Sequence, residues 1–159
     1  MKILMKIQVL LAVLLISFAN CNAQTSKVER TVNELVKKYE DCRGVSCVTV
    51  VKGGGLELVK AMLKKELGKS FLKGVTGMTV IDYSDASEKT CLALRKDLDV
   101  FASMLKEFDL SKEKKFVEND YIRCFATELG PGRLSDFVIA LENDKSKMAI
   151  YMAGEIIIE

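Results

Sequence analysis

Residues 121–158 read YIRCFATELGPGRLSDFVIALENDKSKMAIYMAGEIII, and this stretch decides the fold. Three runs rich in aliphatic and aromatic residues, Tyr121 to Leu129, Leu134 to Leu141 and Met148 to Ile158, follow one another with no room for a helix between them. The separators are turn formers, Gly130-Pro131-Gly132 and Glu142-Asn143-Asp144-Lys145. Links this short join neighbouring strands that run in opposite directions, so the last third of the chain predicts an antiparallel three-strand meander. In the final run Met148, Ile150, Met152, Ile156 and Ile158 alternate with Ala149, Tyr151, Ala153, Glu155 and Ile157. In the run before it Phe137, Ile139 and Leu141 alternate with Leu134, Asp136, Val138 and Ala140. Both faces are therefore apolar. If helices cover the first, the second, with Val138, Tyr151 and Ala153, is left for the amino-terminal helix, a second copy or another envelope protein, and it is a candidate interaction face.

Upstream of the meander the period changes. Cys91, Leu94, Leu98, Phe101, Leu105 and Phe108 recur at helical spacing behind Asp85-Ala86-Ser87-Glu88, a D-x-x-E start signal that assigns the cap to Asp85. Met78 to Tyr83 and Val45 to Val51 read as buried strands, and Leu56, Val59, Leu63 and Leu67 between them read as a helix that ends at Gly68. Strand, glycine turn, helix and strand predict a βαβ unit whose strands are parallel through a right-handed crossover. Ser26-Lys27-Val28-Glu29 has capping-box spacing, and Val28, Val32, Leu35, Val36 and Tyr39 continue it as a first helix from Lys27 to Asp41. The order α-β-α-β-α-β-β-β predicts an α+β domain built as a two-layer sandwich. Its mixed sheet would have about five strands, with helices mainly on one face and an extra amino-terminal helix.

The amino-terminal end has a separate logic. Lys2 and Lys6 precede an apolar run, Ile7 to Ala19, broken only by Gln8 and Ser17, which is the pattern of a secretory signal peptide over residues 1–23 followed by one domain over 24–159. Cys21-Asn22-Ala23 suits cleavage before Gln24, whereas cleavage after Asn20 would leave Cys21 for lipidation; both routes are open, and the membrane is reached only through that anchor. Of the 24 basic side chains, Lys2 and Lys6 lie in this segment, leaving 22 against 22 acidic ones. A neutral mature chain argues against nucleic acid as a partner. The expected location is the periplasm or envelope.

The 159 residues include no histidine and no tryptophan, which removes a Ser-His-Asp triad, a Cys-His dyad and histidine metal ligands. The layout resembles the family of secreted or lipid-anchored Bacteroidetes envelope proteins catalogued as domain of unknown function 4252. The matching parts are the signal peptide, Gly44 to Val50 leading into Leu58 to Leu63, the Met78 to Ser84 strand, the long third helix, and the meander ending Met152-Ala153-Gly154-Glu155-Ile156. The resemblance runs from about Val28 to Ile158. It implies an envelope protein without assigned activity, and it carries over no catalytic residue.

Local features leave several roles open. Gly53-Gly54-Gly55 between a strand and a helix is either a plain glycine turn or an anion site at a helix start, although it lacks the G-K-[ST] ending of phosphate loops. Cys42, Cys47, Cys91 and Cys124 of the mature chain are core thiols, a structural disulfide with Cys42 and Cys47 as the candidate pair, or a redox site at that same pair. Asp82 and Asp85 border a strand end, with Glu128 and Asp136 elsewhere on the sheet, so a carboxylate site is conceivable. Lys112, Lys114 and Lys115 read as a solvated connector. No metal and no cofactor are expected. The function expected from these residues is a noncatalytic interaction or binding module; a thiol redox enzyme or sensor and a small-anion binder are the alternatives.

Overall fold

The computed structural model describes residues 26–67, 69–109, 121–144 and 146–158. The signal segment with Cys21, and Lys112, Lys114 and Lys115, lie outside the described residues. In chain order the elements are α1 (Lys27–Tyr39), β1 (Ser46–Val51), α2 (Gly54–Leu67), α3 (Lys69–Lys73), β2 (Val75–Asp82), α4 (Glu88–Ala102), β3 (Lys106–Phe108), β4 (Tyr121–Gly130), β5 (Arg133–Asn143) and β6 (Ser146–Ile157). The strands form one six-stranded sheet in the order β1-β2-β6-β5-β4-β3, antiparallel throughout. The class is α+β, and β4, β5 and β6 form the expected meander.

Two features of the expected architecture are corrected. β1 and β2 are antiparallel, not parallel: Val51, the last residue of β1, faces Gly77 near the start of β2, so the chain leaves and re-enters the sheet at the same end. The connection between them, α2 followed by α3, starts and finishes at this one end of the sheet, whereas a crossover would deliver the chain to the opposite end. The sheet is thus not mixed, and it gains β3 as a sixth strand.

Helices also cover both faces, so the molecule is not a two-layer sandwich. α2 and α3 set Leu56, Val59 and Leu72 on Val75, Met78, Leu134, Phe137 and Met152. On the opposite face α1 and α4 set Val28, Val32, Leu35, Leu94, Leu98 and Phe101 on Ile81, Phe125, Val138, Ala149 and Tyr151. Alternate residues of one strand feed the two cores, as Met152 and Tyr151 do, because successive side chains point to opposite faces.

The helix starts obey local chemistry. Ser26 caps α1 by accepting the Glu29 backbone N–H at 3.0 Å. The cap of α4 is Ser87, which accepts from Thr90 N at 3.2 Å, and not Asp85, which stays exposed in the preceding turn. α4 ends at Ala102, so Leu105 and Phe108 of the expected helical stripe lie beyond it, Phe108 closing β3. α1 is pinned to α4 at Asp97, whose Oδ2 accepts from Lys38 Nζ at 2.6 Å and Tyr39 OH at 2.7 Å. Partial burial pushes the Asp97 carboxyl up, but the Lys38 and Tyr39 hydrogen bonds outweigh it and hold the group below the usual carboxylate range. Between α1 and β1 the chain turns at Gly44, at φ +80°, where a Cβ would run into the carbonyl of Asp85.

Two outcomes follow from these contacts. Gly44→Ala combines left-handed strain with a backbone clash and is expected to lower stability by about 2 kcal/mol or more in urea titration. Because the folded Asp97 pKa is depressed, its contribution is present above the unfolded value and is lost as pH falls through the folded one. The stability gap between the wild type and Asp97→Asn, about 1 kcal/mol at neutral pH, is therefore expected to close from about pH 4 downward. A gap constant down to pH 2 would remove Asp97 as an ionic clamp.

Candidate functional site

The densest polar cluster lies where β2, β5 and β6 meet the amino-terminal half of α4. Glu142, near the end of β5, faces Tyr121 of β4 on one side and Lys147 of β6 on the other. Its side chain is only 4% exposed, a position that demands partners for a carboxylate. Arg95 of α4 supplies them, with Nε at 2.8 and 2.9 Å from the two oxygens and a further contact from its terminal nitrogen. Tyr83, just past β2, donates its OH to Oε1 at 2.9 Å, and the Arg95 guanidinium lies 5.1 Å from the centre of the Tyr121 ring. Burial, then the Glu142 charge, holds the Tyr83 phenol above the usual tyrosine range. The Glu142 hydrogen bond raises Arg95, so this arginine stays charged. Beside the cluster Lys147 Nζ lies 3.6 Å from the buried Cys91 Sγ. The carboxylate is thus bound by a cation and a phenol that are fixed on the scaffold. Its geometry suits holding α4 on the sheet rather than accepting a proton from a ligand.

The carboxylates singled out from the sequence do not converge. Asp82 closes a turn, accepting from Ser84 N at 2.9 Å and Ser84 Oγ at 2.7 Å, and Asp85 is in the same turn region. Asp82 faces Met148 at the start of β6, while Glu128 faces Leu134 and, through it, Ile156 at the far end. Glu128 pairs with Lys106 at 2.8 Å on the surface. Asp136 sits at φ +49° in a β-bulge of β5 and accepts from Ser26 Oγ at 3.2 Å and Tyr151 OH at 2.9 Å.

The four described cysteines are free thiols. Cys42 follows α1 and Cys47 lies on β1 opposite Ile81, both partly buried against the α1/α4 core. Burial, followed by the charges of Glu40 and Cys42, pushes the Cys47 thiol up to about 11. Burial and Glu107 push Cys124 up to about 12. Both shifts hold the protonated form at neutral pH, the opposite of what a nucleophilic thiolate needs.

At the glycine turn, Gly53 has φ +109° and Gly54 opens α2, with open space where either Cβ would be. Glu57 already places a negative charge in the first turn of that helix, and its partner is Lys60 at 3.2 Å. Val138 and Tyr151 of the candidate interaction face are buried and Ala153 is half-buried, all three against the α1/α4 core. The face is therefore internal, because α1 crosses and covers it. The gap left there, lined by residues such as Val32, Leu98, Phe101 and Tyr151, is only about as large as one water molecule.

Among the described residues no group of three or more His, Cys, Asp or Glu is placed to hold a metal ion, and no helix is long and apolar enough to cross a membrane. No family model matches the chain, and neither a curated protein nor a solved structure matches it.

Nothing in the sequence marks Arg95, Tyr83 and Glu142 as a cluster. Glu142 stands 47 residues from Arg95 and 59 from Tyr83, so only the sheet register brings them together. Arg95→Met leaves the buried carboxylate without a countercharge, held only by the Tyr83 OH. Since the Arg95 side chain is itself 38% exposed, the expected loss is about 2 kcal/mol, less than for a fully buried pair. Adding Glu142→Gln, which removes the charge and keeps an acceptor for the Tyr83 OH, is expected to restore most of it. A double variant as unstable as the single one in denaturant titration would refute the desolvation account.

Proposed function

We propose that the chain is an exported envelope protein of the kind it resembles, acting as a noncatalytic interaction or binding module. The amino-terminal pattern around Lys2, Lys6 and the Ile7 to Ala19 run supports export, with either release at Gln24 or anchoring at Cys21. The observation that supports the interaction role is a set of exposed apolar residues at one end of the sheet, Leu129 near the end of β4 and Ile157 and Ile158 at the end of β6, a rim in which Arg133 of β5, paired with Glu155, lies between the two groups. Leu129 and Ile158 are each 47% exposed, Ile157 is exposed beside them, and Ile158 N donates to Gly132 O at 2.8 Å, which holds this rim against the Gly130-Pro131-Gly132 turn. Exposed apolar groups held on sheet backbone beside a charged pair suit protein recognition. The buried Val138 and Tyr151 do not contribute.

The raised Cys47 thiol works against redox catalysis at Cys42 and Cys47, and Glu57 works against an anion at Gly53, Gly54 and Gly55. The module role is tested with a photoactivatable side chain placed at position 129 or 157 of the protein in its native envelope. Discrete adducts from these positions, and none from the exposed position 34 on α1, are expected. Identical patterns at all three, or no adducts, would end the proposal for this rim.

A further inference from the structure

The two edges of the sheet are built differently. β3, at one edge, is three residues long and carries Lys106 and Glu107, features that discourage further strand pairing. β1, at the other, is six residues, Ser46-Cys47-Val48-Thr49-Val50-Val51, with no charge, proline, glycine or register shift. Among the described residues no strand pairs with its outer side. Lys52 N donates to Thr76 O at 3.4 Å, so by the alternation of an antiparallel ladder Lys52, Val50 and Val48 direct their backbone groups to β2. Cys47, Thr49 and Val51 then direct theirs outward. The margin is apolar as well: Val51 is 54% exposed, Val48 and Val50 are half-buried, and Leu58 on α2, which packs on the sheet near this edge, is 46% exposed.

We infer that β1 is a self-association edge, at which a second copy of this chain adds its own β1 in antiparallel register about a two-fold axis through Thr49. In that register Thr49 faces Thr49 of the partner subunit, Val48 faces Val50 of the partner subunit, and Cys47 faces Val51 of the partner subunit. The outward groups of Cys47, Thr49 and Val51 would exchange about six backbone hydrogen bonds. β-Branched residues would oppose each other on both faces. The nearest charge, Lys52, lies three residues from the axis, so the two copies of it are about 20 Å apart, beyond a Debye length. A second copy is favoured over a foreign strand because the pairing is self-complementary and closed: among the described residues it joins two sheets into one whose remaining edges are the short, charged β3 strands. Six paired residues bury less than the roughly 800 Å² per partner of a standard interface, so the dimer is concentration-dependent. This inference deepens the interaction role while using a surface separate from the rim at Leu129 and Ile157.

The test is sedimentation of the exported protein over a range of concentrations, with disulfide trapping in a Cys47→Ser background. A monomer–dimer equilibrium is expected, and Val51→Lys should weaken it at least tenfold with an unchanged melting temperature. On mild oxidation Thr49→Cys should give a covalent dimer and Val48→Cys should not, since only position 49 meets itself. A protein that stays monomeric at millimolar concentration, a dimer indifferent to Val51→Lys, or equal trapping at positions 48 and 49 would overturn the inference. Envelope adducts at position 129 or 157 from a strictly monomeric protein would leave the module role standing without this dimer, and a Thr49-centred dimer without such adducts would do the reverse.

Discussion

β6 sets the terms for the rest of the molecule. It pairs with β2 along one side and β5 along the other, so its backbone is fully committed to the sheet, and its side chains are apolar on both faces. Met148, Met152 and Ile156 need one helical layer, and Ala149 and Tyr151 need another. A strand of this kind cannot form the wall of a two-layer domain without leaving one face wet. α1 is accordingly part of the fold and not an appendage. The buried Tyr151 ring has a polar tip that must be satisfied, and Asp136 does so from the bulge of β5 while also accepting from Ser26, the cap of α1. One carboxylate thus links the central strand, the bulge and the start of the covering helix.

The sequence revealed the parts whose signals are local. The meander was legible because its two separators are too short for anything but antiparallel neighbours, and α1 was legible because Ser26 and Glu29 stand at capping distance ahead of a clear apolar stripe. The direction of β1 against β2 was not, because strand sequences do not record it. It depends on the end at which the connection re-enters the sheet, and the five residues Lys69–Lys73 that complete that connection are too few to show a helical period. β3 was missed for the same reason of length. At α4 two cap signals overlap within Asp85-Ala86-Ser87-Glu88, and the one nearer the helix prevailed. For the sheet face with Val138 and Tyr151, alternation correctly marked both sides as apolar, but alternation cannot say which helix arrives to cover a face.

The polar clusters were illegible for a different reason. Glu142 lies in what reads as a turn between two strands, and nothing in its neighbourhood points to Arg95 or Tyr83. Only β-register places it behind α4. Three ionic groups serve the same kind of purpose: Glu142 with Arg95 fastens α4 to β5, Asp97 with Lys38 fastens α1 to α4, and Arg123 joins β4 to Glu107 of β3 and Asp99 of α4. Such groups fix geometry.

That division bears on the proposed role. Among the described residues, the buried Glu142 is engaged in ties and the Cys47 thiol is held protonated. What the fold leaves unengaged is of another kind, namely the outward backbone of β1 and the apolar residues at the ends of β4 and β6. Backbone edges and apolar rims recognise other chains by shape and by main-chain hydrogen bonding, and neither requires a titrating residue. A scaffold that ties Glu142, Asp97 and Asp136 into its own packing is suited to binding through these surfaces. The contrast between an uncharged β1 and a short, charged β3 then has a direct physical meaning, since one edge is built to refuse a further strand and the other is built to accept one.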